Sequence, residues 1–249
     1  MPLLAATIFL SAFLLFQVQP LIAKAILPWF GGAAGVWTTC LLFFQVTLLL
    51  GYFYSHGLTS RLKPRSQAHL HILLLLVSLI SLPILPKEML KPSGTDEPIG
   101  RILLVLVLTV GLPYLLLSTT SSLLQAWYTL KKTALGEEAE YPYRLYALSN
   151  FGSMLGLLSY PFLLEPALSL KVQAYSWSAG YVLYALCCGT IAWQVRSLSS
   201  APLAPQPDSE SEEEAYPEYV PPAPTRKHYL YWIFLSALGS TLLLSVSNH

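Results

Sequence analysis

A chain of 249 residues with 54% hydrophobic and 11% charged side chains carries less than half the charge of a typical soluble domain, about 25%. Its net charge of +1 leaves no bulk electrostatic case for a nucleic-acid partner, and its mean hydropathy of +0.55 points to lipid as the surrounding solvent. The composition therefore predicts an all-α, polytopic transmembrane helix bundle whose first partner is the bilayer.

A hydrocarbon core about 30 Å thick needs about 20 helical residues to cross it. Seven stretches qualify in chain order, at 3–27, 36–58, 70–85, 102–124, 145–164, 173–195 and 229–246. The first begins at the N-terminus but lacks a basic leader and a small-residue cleavage site. It runs on into Gln17, Gln19, Pro20 and Lys24, so it reads as a retained helix. The third is short if it stops at Pro83, and the fifth is the most polar. Between the sixth and seventh, residues 197–228 are rich in Pro, Ser and Glu and include the run SESEEE at 209–214. That composition predicts a disordered linker. Three parts follow: a six-helix bundle over 1–196, the linker, and a seventh helix within 229–249 that opens a second bundle.

Loop charge sets orientation. With the N-terminus inside, the cytoplasmic segments hold nine basic residues: Arg61, Lys63, Arg65, Lys131, Lys132, Arg144, Arg196, Arg226 and Lys227. The outer segments hold five, Lys24, Lys87, Lys91, Arg101 and Lys171. The expectation is a multi-pass protein with a cytoplasmic N-terminus.

Polar side chains at membrane depth are costly and mark candidate sites. Gln17, Gln19, Lys24, Gln45, Asn150 and Glu165 form the candidate set. Gln17 and Lys24 share one helix face at i, i+7, beside Pro20, which frees a carbonyl. They either line a polar path, or Lys24 snorkels to the outer interface while Gln17 bonds a neighbour. Asn150, Gly152, Ser153 and Gly156 form a small, polar stripe suited to close helix packing. Glu165 and Arg144 stand at opposite ends of the fifth span, too far apart to pair.

Five hydroxyls, Ser118 to Ser122, follow Pro113. They either satisfy carbonyls that this proline releases or line a vestibule. His56, His69 and His71 read as interfacial histidines, because i, i+2 spacing suits no metal. Cys40, Cys187 and Cys188 lie in apolar runs and read as small hydrophobes. The chain contains no GxGxxG after a strand and no Walker, HExxH, GxSxG or CxxC motif. No catalytic residue, metal ligand or cofactor is expected.

Three segments, FLSAFLLFQVQPLIAKAILPWFGGAAGVWTTCLLFFQ (9–45), GLPYLLLSTTSSLLQAWY (111–128) and PYRLYALSNFGSMLGLLSYPFLLEP (142–166), resemble one bacterial family. It is the membrane-embedded spermidine-synthase-like proteins, of major-facilitator/spermidine-synthase fusion type. The resemblance implies a bacterial inner-membrane location and a partner, a soluble Rossmann-type aminopropyltransferase-like domain, that this chain does not contain. The expected function is a non-catalytic membrane module that anchors or serves such a domain, as a truncated or split membrane half. The alternatives are a small transporter or channel subunit for a cationic amine or another small solute, and a structural subunit bound to other membrane subunits.

Overall fold

The computed structural model of the chain describes residues 2–92, 97–135, 143–198 and 225–247. Every described element is helical. Five helical stretches are long and apolar enough to cross a membrane: Pro2–Phe30, Ala34–Arg61, Pro98–Ala134, Arg144–Ala167 and Leu170–Ser197. They match the first, second, fourth, fifth and sixth expected spans.

The first two are the helices α1 (Pro2–Phe30) and α2 (Ala34–Arg61). The fourth is a rod made of α4 (Pro98–Leu106), a π turn at Val107–Gly111 and α5 (Leu112–Ala134). The fifth comprises α6 (Tyr143–Ser159), a second π turn at Tyr160–Leu164 and the short α7 (Glu165–Ala167). The sixth is α8 (Leu170–Leu198). Each π turn lies against a proline, Pro113 just after the first and Pro161 inside the second. A proline ring clashes with the carbonyl four residues back, and the widened turn makes room for it.

The third expected span departs from the others. Helix α3 (Pro64–Ser78) has 15 residues and adds one 3₁₀ turn at Leu79–Ser81, so its α-helical part reaches only about 22 Å. Pro83 and Pro86 lack the amide donors a longer helix needs, and the chain continues without helix through 82–87. Irregular backbone at membrane depth persists only where protein covers it. Ile84 is fully buried, and its neighbours Leu82, Pro83, Leu85 and Pro86 are half-buried.

The chain divides into two compact units, Met1–Ala204 and Pro205–His249. The second contains α9 (Arg226–Ser247) where the seventh span was expected, although α9 is not among the five stretches above. Thr225 precedes it, and its hydroxyl and backbone N–H meet His228 Nδ1 at 2.9 and 3.1 Å. Most of the expected acidic linker, residues 199–224 with the SESEEE run, lies outside the described residues.

Side-chain pairs fix the helix directions in the first unit. Phe9 meets Gly152, Phe13 meets Gly156 and Lys24 meets Glu165, so α1 and α6 run parallel. His71 meets Cys188 and Ser78 meets Tyr181, so α3 and α8 are antiparallel. Phe44 packs on Tyr114 and Gly51 on Ser118, so α2 and α5 are parallel. Helices α1, α3 and α6 thus run one way, and α2, α4–α5 and α8 the other. One end of this unit gathers Arg61, Lys63, Arg65, Lys131, Lys132, Arg144 and Arg196. The opposite end carries Lys24, Lys87, Lys91, Arg101 and Lys171, together with Glu88, Glu97 and Glu165.

Lipid tails are as apolar as leucine, so close packing and internal hydrogen bonds must hold membrane helices together. Both are present. A Cβ on Gly152 would lie 2.8 Å from the Phe9 carbonyl oxygen, and one on Gly156 would lie 2.5 Å from that of Phe13. The small-residue stripe is therefore the seam on which α1 and α6 touch. The outward faces of α2, α3, α6 and α8 carry exposed Leu42, Leu49, Leu73, Leu158 and Leu186, the surface a bilayer would solvate.

Candidate functional site

The interior of the first unit is rich in polar side chains, and nearly all of them are engaged in structural bonds. Trp177 donates through Nε1 to the Leu14 carbonyl at 2.9 Å and stacks on Tyr181. The Tyr181 and Ser78 hydroxyls meet at 2.7 Å. The Tyr184 hydroxyl lies 2.8 Å from Thr120 Oγ1 and 3.0 Å from the Leu116 carbonyl. Trp127 donates to Gln67 Oε1 at 2.8 Å.

His71 corrects the interfacial reading. It is fully buried, with Nδ1 3.3 Å from the Tyr54 hydroxyl and Nε2 3.5 Å from Cys188 Sγ. His56 and His69 are exposed. Spacing alone gave no reason to bury His71. The signal was its helix partners Gln67 and Leu75 at i−4 and i+4, which lie on the same inward face.

The hydroxyl run after Pro113 is also resolved. Ser118 bonds the Leu115 carbonyl, Thr119 and Thr120 that of Leu116, and Ser122 that of Thr119. These are back-bonds within α5. The carbonyl that Pro113 leaves without a donor, that of Thr109, lies in the π turn and receives none of them.

Three of the six candidate residues, Gln19, Lys24 and Glu165, line one cleft of about 550 Å³ between α1, α2 and α6–α7. Its other walls include Trp37 and Phe44 from α2 and Tyr160 and Pro161 from the second π turn. Lys24 Nζ lies 2.7 Å from Glu165 Oε1, with side chains 39% and 44% exposed. Lys24 therefore reaches a carboxylate at the end of the bundle away from Arg61 and Arg144. Gln19 donates to the Tyr114 hydroxyl at 3.1 Å, and the Tyr114 ring packs on Phe44 with centroids 4.9 Å apart.

The other three candidates lie elsewhere. Gln17 is buried outside the cleft, between Leu14 and Leu21 on α1. Gln45 is exposed on α2, at the depth of Phe44 but turned away from it, and Asn150 is exposed on α6. Composition and spacing placed all six at membrane depth, yet only contacts between distant segments could sort them.

Tyr160 is the site residue that sequence reasoning missed. It is 3% exposed, it lines the cleft, and its hydroxyl is buried without a hydrogen-bond partner. A signal was available: the tyrosines Tyr114 and Tyr160 each adjoin a helix-interrupting proline, Pro113 and Pro161. Both prolines loosen the backbone at the depth where the ring must turn inward. Pro20 and Pro161 face the same cleft, so two helices lose a backbone donor along its walls.

All three cysteines are free. Cys40 and Cys188 are buried and Cys187 is half-buried, in keeping with their apolar surroundings. No group of three or more His, Cys, Asp or Glu side chains able to hold a metal ion occurs among the described residues.

Compared with protein-family models, with curated proteins and with solved structures, the chain matches none.

Proposed function

We propose that the chain is a non-catalytic, seven-crossing membrane module of a spermidine-synthase-like protein, which anchors or serves an aminopropyltransferase-like domain carried elsewhere. On this reading α3 with the stretch 82–86 around buried Ile84 makes the third crossing, and α9 makes the seventh. The N-terminus and the seven basic residues at its end of the bundle face the cytoplasm of a bacterial inner membrane, as the loop-charge rule asks.

The observation that supports this reading is the state of the interior. Trp127, Trp177, Tyr181, Tyr184, Thr119 and Thr120 are tied to carbonyls or to other side chains, an arrangement that holds helices together. The pairing of Lys24 with Glu165 weakens the alternative of a cationic-amine carrier. Glu165, the one carboxylate in the candidate set, is already neutralised by Lys24.

Two measurements test the proposal. Native membranes solubilised gently should yield the chain either with a mass well above 27.5 kDa or with a soluble methyltransferase-like chain in fixed stoichiometry. The bare chain, alone and at its own mass, would refute the anchoring role. Single cysteines placed at Arg65 and Lys171 should be labelled from opposite faces of intact cells, with Arg65→Cys protected from an impermeant thiol reagent. The reverse pattern would overturn the orientation and leave the anchoring role standing.

A further inference from the structure

We propose that the cleft between α1, α2 and α6–α7 binds a zwitterionic lipid, one whose headgroup carries an ammonium and a phosphate together. The inference does not rest on the anchoring role.

The cleft combines three features that one amphiphile would satisfy. Its mouth holds a cation and an anion side by side, Lys24 and Glu165, both with room for a further partner at 39% and 44% exposure. A phosphate oxygen can accept from Lys24 Nζ while an ammonium donates to Glu165, so a headgroup of zero net charge replaces one internal pair with two. An anionic headgroup meets the carboxylate unfavourably, and a purely cationic one meets the ammonium.

Below the mouth, Tyr160 and Gln19 each precede the charged residue of their own helix by five positions. That puts them about 7 Å deeper along the axes, an interval of the same order as that between a lipid's phosphate and its ester carbonyls. The Tyr160 hydroxyl is buried without a partner, which is costly in a low-dielectric site, and an ester carbonyl entering beside the ring would accept a hydrogen bond from it. The outward walls, Leu41 and Leu157, are half-exposed and apolar, as an acyl chain requires. Glu165 lies close to the turn at 168–169 that starts α8, and the long Lys24 side chain rises to meet it. The headgroup level and the ion pair therefore coincide.

The test is native mass spectrometry of the full-length chain, delipidated in detergent and titrated with phosphatidylethanolamine, phosphatidylglycerol or free phosphoethanolamine. The expected result is one phosphatidylethanolamine bound at least about tenfold more tightly than phosphatidylglycerol, a difference near 1.4 kcal/mol. Free phosphoethanolamine should bind far more weakly. Glu165→Gln leaves Lys24 unopposed and should reverse the order, favouring phosphatidylglycerol. The exchanged variant Lys24→Glu/Glu165→Lys should restore the preference for phosphatidylethanolamine. Tyr160→Phe should weaken both lipids by about two- to tenfold, as loss of one hydrogen bond does, without changing their order.

Equal binding of the two lipids by the unaltered chain would overturn the proposal, as would an unchanged order in Glu165→Gln. Equal binding of the free headgroup would overturn the lipid as the occupant. If Glu165→Gln does not fold, an unchanged affinity in Tyr160→Phe is enough to refute it.

Discussion

Replacing Gly156 with leucine separates α1 from α6 and lowers the thermal stability of the purified chain more than any change on the outward face of α6. A Cβ at Gly156 falls 2.5 Å from the Phe13 carbonyl oxygen and 3.3 Å from two further backbone atoms of Phe13. None of these atoms can rotate away, so relief requires the helices to part. Overpacking of this kind costs about 1–3 kcal/mol and occasionally more. It also moves Lys24 relative to Glu165, so the ion pair should be lost with the seam. The readout is the reaction of buried Cys40 and Cys188 with a thiol dye during heating. Gly189→Ala is the control, since nothing lies within 4 Å of a Cβ there, and a helical alanine is favoured over glycine by about 0.5–1 kcal/mol. Equal shifts for Gly156 and Gly189 would show that the seam is not where the bundle is held.

Trp177→Ala should cost about 3–5 kcal/mol, and Trp177→Phe only about 0.5–1.5 kcal/mol. Trp177 is 2% exposed, joins α8 to α1 through the Leu14 carbonyl and stacks on Tyr181 with centroids 5.4 Å apart. Phenylalanine keeps most of the packing and the stacking and loses the indole donor, while alanine leaves a cavity. Removing a side chain from a membrane bundle exposes little to water, so the loss is one of contacts. Equilibrium unfolding of both variants in mixed micelles separates the effects. Similar losses would assign the joint to the hydrogen bond and not to the ring.

The helical class and the five helices long enough to cross were legible in the sequence because a span is a property of one continuous segment. Length and apolar content are visible at 2–30 or 170–197 without knowledge of any neighbour. The small-residue stripe of α6 was legible for the same reason: Gly152 and Gly156 stand four apart whatever they pack on. What the stripe meets was not legible, because Phe9 and Phe13 lie about 140 residues earlier. The candidate site shows the same division. Gln19, Lys24 and Glu165 could be named as costly, and so could Gln45 and Asn150. Only the parallel pairing of α1 with α6 separates the first three from residues that face outward. Tyr160 escaped notice because tyrosine is common at membrane interfaces, and His71 was read as interfacial; the burial of both depends on helices far away in the chain.

The third crossing proposed above has a consequence for how the chain is made. A segment leaves the protein-conducting channel for lipid according to its own hydrophobicity, and α3 presents Gln67, His69 and His71 before a short apolar run that Pro83 and Pro86 interrupt. Its polar side is satisfied largely by residues not yet synthesised, Trp127 for Gln67 and Cys188 for His71. Helix α8 begins about 90 residues after α3 ends, a delay of roughly 5–20 s at ordinary rates of translation. During that interval α3 should wait at the channel beside α2, as a late-committing segment. Ribosome-bound chains halted before and after α8 should differ in how readily alkaline extraction removes α3 from the membrane. Equal resistance would mean that α3 inserts on its own. The residues that close the core of the bundle would then also set the order of its assembly, with the most buried histidine among the last side chains to find its place.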